Sequence, residues 1–147
     1  MNYTTAIDID APPATVWGVM RDVERWHEWT ASITSVRLDR PAPLAVGHRA
    51  SIRQPRLPPA KWEVTSVESG RGFTWVARSP GVLVTARHAI EPLGGGKASR
   101  VTLSLDYEGL LGPLIGRLTR GVTHRYLALE AEGLKRRSEG EGAVFAT

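Results

Sequence analysis

The chain contains no cysteine at all. Disulfides and thiolate metal sites are therefore excluded, and a reducing compartment is the simpler setting. Long apolar runs are also missing: none approaches the ~18 residues needed to span a bilayer. The opening Met1-Asn2-Tyr3-Thr4-Thr5 has no basic start and no apolar core of a targeting signal, so a cytoplasmic location is expected. The four histidines, His27, His48, His88 and His124, lack metal-ligand spacing, so no metal and no cofactor are expected. There is no G-x-S-x-G elbow, and Gly94-Gly95-Gly96-Lys97 lacks the following Ser or Thr of a phosphate loop and reads as a hairpin turn.

What is present describes one soluble-type domain. At 147 residues, with 41% hydrophobic and 23% charged residues, the chain buries roughly 68–70% of its unfolded surface. The net charge of +4 invites a nucleic-acid reading. The bases, however, are interleaved with acids, as in Arg21-Asp22, Glu24-Arg25 and Lys61-Trp62-Glu63, and no recognition helix or RNA-binding aromatic strand accompanies them. No nucleic-acid partner is expected, and contact with anionic membrane surfaces is at most transient. The oligomeric state is left open.

Hydrophobic periodicity sets the element order. Tyr3 to Ile9 alternates as a strand; Asp10 caps a helix begun by Pro12-Pro13, and Asp22 caps a second short one ending near Trp29-Thr30. Period two then predicts strands near Ile33–Leu38, Arg49–Gln54, Trp62–Glu68, Phe73–Arg78, Leu83–Glu91 and Ser99–Glu108, separated by Pro- and Gly-containing turns. A single helix is predicted from Pro113 to Arg137, its apolar stripe being Leu111, Ile115, Leu118, Val122, Tyr126 and Leu129. Gly116, Gly121 and Gly133 each cost up to ~1 kcal/mol there, which close packing or a ligand must offset. The domain is assigned residues 1–137, and 138–147 read as a flexible C-terminal tail.

Five segments carry a family resemblance. Ile7-Asp8-Ile9-Asp10-Ala11-Pro12-Pro13-Ala14-Thr15-Val16-Trp17 is similar to a strand followed by I-x-A-P-x-x-V-W. Asp22-Val23-Glu24-Arg25-Trp26-His27-Glu28-Trp29 is similar to the D-x-x-x-W-x-x-W segment that follows it. Phe73-Thr74-Trp75, His88-Ala89-Ile90-Glu91-Pro92-Leu93 and Asp106-Tyr107-Glu108-Gly109 match the later strands. Together they resemble the START-like (SRPBCC) superfamily of polyketide cyclase/dehydrase-like proteins. The resemblance implies an α+β helix-grip fold: a curved antiparallel sheet of about seven strands around a long C-terminal helix, with two short helices after strand one. It also implies an interior cavity for a hydrophobic or amphipathic molecule.

Strand alternation, the terminal helix stripe and the aromatics of the second short helix then nominate the residues that face such a cavity: Trp26, Trp29, Gln54, Trp62, Phe73, Trp75, His88, Ile90, Leu103, Leu105, Tyr107, Leu118 and Val122. Trp26 and Trp29 are placed near its mouth, and Trp17 in the core. His88 serves either as a ligand-orienting acid or base or as a buried histidine bonded to neighbouring backbone. Tyr107 either orients a ligand oxygen or closes the core. Two functions follow. One is non-catalytic binding, transport or sequestration of a lipid, isoprenoid quinone or aromatic polyketide in a cavity of several hundred Å³. The other is a cyclase/dehydrase-type enzyme using His88 and Tyr107 for proton transfer.

Overall fold

The computed structural model describes the backbone of residues 1–146 and the side chains of residues 1–140. Seven strands form one antiparallel sheet: β1 (Asn2–Ile9), β2 (Ser35–Leu38), β3 (Arg49–Arg53), β4 (Ala60–Glu68), β5 (Gly72–Ser79), β6 (Val82–Leu93) and β7 (Ala98–Glu108). Their spatial order is β1-β7-β6-β5-β4-β3-β2, so five successive hairpin-type neighbours are closed off by the N-terminal strand. Alternation decides the inner face. In the cross-strand rows Val64, Trp75, Ala86, Leu105 and Tyr3 stand opposite one another, as do Phe73, His88 and Leu103. A register shift between Val64 and Ser66 marks a bulge in β4, a device that bends a strand and increases its twist.

Helix α1 (Pro13–Arg21) buries Val16, Trp17, Val19 and Met20. A 3-10 helix (Val23–Glu28) buries Val23 and Trp26. Neither start uses the expected acidic cap. Pro12 holds the N-cap position of α1, and its carbonyl accepts from Thr15 and Val16. Asp10 instead donates its backbone N–H to Glu139, and the Asp22 carboxylate pairs with Arg25 at 3.6 Å.

The predicted C-terminal helix is two helices, α2 (Gly112–Leu118) and α3 (Arg120–Ala146). Thr119 makes the break: its backbone leaves the helical range, and its Oγ1 bonds back to the Ile115 carbonyl at 2.8 Å. The kink shifts the phase of the buried stripe. Ile115 is partly buried, but Leu111 and Leu118 are exposed. Beyond the kink the buried positions are Thr123, Leu127, Ala131, Leu134 and Ser138, not the extrapolated series through Val122, Tyr126 and Leu129. Of the expected tail, Ser138 is buried on α3 and Glu139 bonds Lys135 at 2.6 Å; the side chains of 141–147 lie outside the described residues. Among the described residues, no helix is long and apolar enough to cross a membrane.

Candidate functional site

Between the inner face of the sheet and α3 lies a cavity of about 140 Å³. Trp26, Trp62 and Trp75 form its aromatic wall, and Ile33, Ile52, Leu57, Val84, Ala86, Leu103 and Leu105 its aliphatic one. Helix α3 supplies Val122, Thr123, Tyr126, Leu127 and Glu130 as the remaining side. The volume is well below the several hundred Å³ expected from the fold resemblance. The indole rings and Leu127 occupy the space, which alternation along a strand cannot reveal.

The polar groups fall at separate ends. At one end His88, 6% exposed, stacks flat on Phe73 at 4.2 Å between ring centroids and meets the edges of Trp26 and Trp75. Its Nδ1 lies 3.2 Å from the Phe73 carbonyl, and its Nε2 lies 3.4 Å from Oε1 of Glu130. A carbonyl only accepts, so Nδ1 carries a hydrogen and donates it. Nε2 then faces the Glu130 carboxyl. Such a pair in an apolar wall can give or take a proton from a bound molecule.

At the other end the Tyr107 hydroxyl lies 3.0 Å from Thr123 Oγ1. Thr119 Oγ1 stands 3.3 Å from the same hydroxyl, its own hydrogen engaged by Ile115. Gln54 is held by a 3.2 Å bond from its Nε2 to the Ser32 carbonyl. The indole Nε1 of the cavity-lining Trp62 is buried with no hydrogen-bond partner among the described residues. An unpaired buried donor costs about 1–3 kcal/mol, which an acceptor placed against it would recover. Tyr126 donates its hydroxyl to the Pro55 carbonyl and fastens α3 to the β3–β4 connection beside Leu57.

Of the residues nominated from sequence, Trp26, Gln54, Trp62, Trp75, His88, Leu103, Leu105, Tyr107 and Val122 line this cavity. Trp29, Phe73, Ile90 and Leu118 do not. Phe73 lies behind His88 as its stacking partner, and Ile90 is core. Trp29 is buried against α3, where its carbonyl faces Gly133, and Leu118 is 74% exposed. Trp26 is no gate: it is fully buried and donates Nε1–H to the Met20 carbonyl at 2.9 Å. Glu130 was missed. It stands three residues after Leu127 and four before Leu134, an acid inside the buried stripe of α3, and that spacing is its signal. Among the described residues, no three His, Asp or Glu side chains are grouped as metal ligands would be.

Comparison with solved structures gives the same architecture at low sequence identity. A hypothetical protein from Helicobacter pylori superposes with a TM-score of 0.79 at 13% identity, over 94% of this chain and 88% of the other. A protein from Thermobifida fusca gives 0.75 at 14% identity, covering 93% and 92% of the two chains. A START superfamily protein from Mycobacterium smegmatis gives 0.68 at 18% identity over 98% of each chain. No curated protein matches this sequence. The seven-stranded antiparallel sheet, the short helices after β1 and the long terminal helix are those of the helix-grip fold. A family model described as polyketide cyclase / dehydrase and lipid transport matches residues 1–139, and the chain belongs to that family.

Proposed function

We propose that the protein binds a small, largely apolar molecule carrying a hydrogen-bond acceptor, in the cavity between the sheet and α3. The observation that carries this reading is the space of about 140 Å³ with an aromatic wall and polar groups at separate ends. An engineered apolar cavity of roughly 150 Å³ admits benzene, so this volume suits one ring. A quinone head group or another substituted single ring matches it. A fused polyketide or a whole lipid needs α3 to part from the β3–β4 connection at the Tyr126–Pro55 bond. The family description, which covers both cyclases and lipid transport, supports an apolar cargo.

Calorimetry with single-ring probes such as phenol and benzoquinone, beside mass spectrometry of protein purified from its own host, tests this. Saturable 1:1 binding that Leu127→Trp abolishes by filling the cavity is the expected result. Trp62→Phe should weaken an acceptor-bearing probe roughly tenfold, one hydrogen bond's worth. Retention of full affinity in Leu127→Trp would overturn the assignment of the cavity.

The facing of His88 Nε2 and Glu130 favours a second reading, in which the protein is an enzyme of cyclase/dehydrase type that moves a proton on the bound molecule. His88 is the proton-transfer group, Glu130 its partner and Tyr107 the group that orients a ligand oxygen. Turnover unchanged in both His88→Ala and Glu130→Gln, on a ligand identified from the host, would remove this reading while leaving the binding one intact.

A further inference from the structure

Six large apolar side chains are exposed among the described residues; Val46 stands in the β2–β3 connection and Met1 at the start of the chain, and the other four are close together in sequence. Leu110, Leu111, Leu114 and Leu118, which are 97%, 45%, 53% and 74% exposed, crowd around the short helix α2. Isolated surface leucines need no explanation, whereas a cluster rimmed by polar residues does. Leu114 and Leu118 stand four residues apart within α2 and share one side of it, and Leu110 lies in the turn that leads into the helix. This segment is held firmly: Leu111 N–H donates to the Gly81 carbonyl at 2.9 Å, Leu111 rests on Gly81, and Tyr3 bonds the Gly116 carbonyl at 2.9 Å. The leucines therefore stand outward on a built support.

The charge around them has one sign. From Gly109 to Leu129 the sequence has no Asp or Glu and carries Arg117, Arg120 and Arg125. These arginines are exposed and form no ion pair among the described residues, although most arginines elsewhere on the sheet are paired across strands or turns. Glu108 is the acid at the edge of the patch. We infer that this face docks on an anionic lipid bilayer, with the leucines entering the acyl boundary and the arginines meeting lipid phosphates. Apolar insertion and basic attraction are each weak alone, and reversible membrane contact uses the two together. What α2 offers is exposed aliphatic side chains with arginines beside them in the chain.

The inference goes beyond the cavity reading and does not depend on it, but the two regions touch. Gly112 and Gly116 of α2 lie against Tyr107, and a Cβ on Gly116 would come within 3.4 Å of its ring. Tyr107 also lines the cavity. A membrane at α2 therefore faces the Tyr107 end of the ligand space.

Sedimentation with vesicles of phosphatidylcholine alone, and of phosphatidylcholine mixed with phosphatidylglycerol, tests the docking. The intact protein is expected to bind the mixed vesicles and to lose binding as salt rises. Arg117→Gln with Arg120→Gln should lower affinity for the anionic vesicles by about 25-fold, roughly fivefold per arginine. Leu110→Ser, Leu114→Ser and Leu118→Ser combined should lower it at least tenfold. These positions are exposed, so an unchanged circular dichroism spectrum shows that the fold survives. In a separate variant, Leu114→Arg should abolish insertion while raising electrostatic attraction, which divides the two contributions. No sedimentation of the intact protein, or sedimentation insensitive to both sets of changes, overturns the inference. So does a self-associated dimer that the leucine changes dissolve, because a second copy is then the occupant. Leu127→Trp, which fills the cavity, should leave vesicle binding intact, so failure of the ligand reading and failure of this one are told apart.

Discussion

The two ends of the cavity are built in opposite ways. At the His88 end, Trp26, Phe73, Trp75 and His88 pack with centroids 4.2–6.0 Å apart. There Gly133 lets α3 come so near the 3-10 segment that a Cβ would lie 2.0 Å from the Trp29 carbonyl. At the Tyr107 end the contact is a hydroxyl pair, a helix break and a turn of exposed leucines, and Gly121 has open space where a Cβ would go. The dense ring packing and the His88–Glu130 pair sit at the first end, the hydroxyl cluster at the second.

The comparison can be broken most forcefully by Trp26→Ala. Removing a ring that touches four other rings should cost about 3–5 kcal/mol in urea unfolding, whereas Leu118→Ala should stay within about 0.5 kcal/mol. Equal effects would show that the ends are packed alike. Next in size is a pair of identical substitutions with opposite signs. Gly133→Ala should lose about 1–3 kcal/mol, because backbone overlap outweighs the gain in helix propensity. Gly121→Ala meets nothing and should gain up to about 1 kcal/mol, read as a higher midpoint of thermal unfolding. Tyr107→Phe should cost about 1 kcal/mol, since Thr123 loses its partner. It should also weaken binding of an oxygen-bearing probe more than that of its hydrocarbon counterpart.

The smallest effect concerns the far anchor of α3. Lys135 donates to the Asp8 carbonyl and to Glu139, which also accepts from the Asp10 N–H. The Lys135 ammonium, then the Asp10 amide, hold the Glu139 carboxyl below its ordinary range. A carboxylate depressed on folding contributes stability above its unfolded pKa near ~4.3, lost as pH falls through the lower folded value. Unfolding titrations between about pH 5 and 3 should show a loss under about 1 kcal/mol, which Lys135→Met reduces.

The sheet was legible because period-two alternation is a direct image of its two faces: Val101, Leu103 and Tyr107 turn inward together, and every predicted strand is present. Helix starts were less so: Pro12 takes the cap position assigned to Asp10, and Asp22 holds its cap position through its carbonyl rather than its side chain. The site was legible on the strands and not on α3. A stripe carried through Thr119 without a kink turns Leu118 inward and Glu130 away, whereas the break at Thr119 reverses both. Cavity volume was not legible at all. It depends on how the Trp62 and Trp75 rings lie, 6.1 Å apart and tilted by 42°, and no spacing rule encodes that.

The place of β1 in the sheet bears on how the chain matures. Tyr3 stands opposite Leu105 and Ile9 opposite Ser99, so the first strand to be made pairs with the last. At about 5–20 residues per second, synthesis of the intervening hundred or so residues takes roughly 5–20 seconds. Strands β2 to β6 can zip neighbour to neighbour as they emerge, while β1 waits with Tyr3 and Ile9 unburied. The slow, concentration-sensitive moment in this protein's life is thus set by its order of strands, and a nascent chain halted before β7 carries a sticky N-terminus for a chaperone to hold.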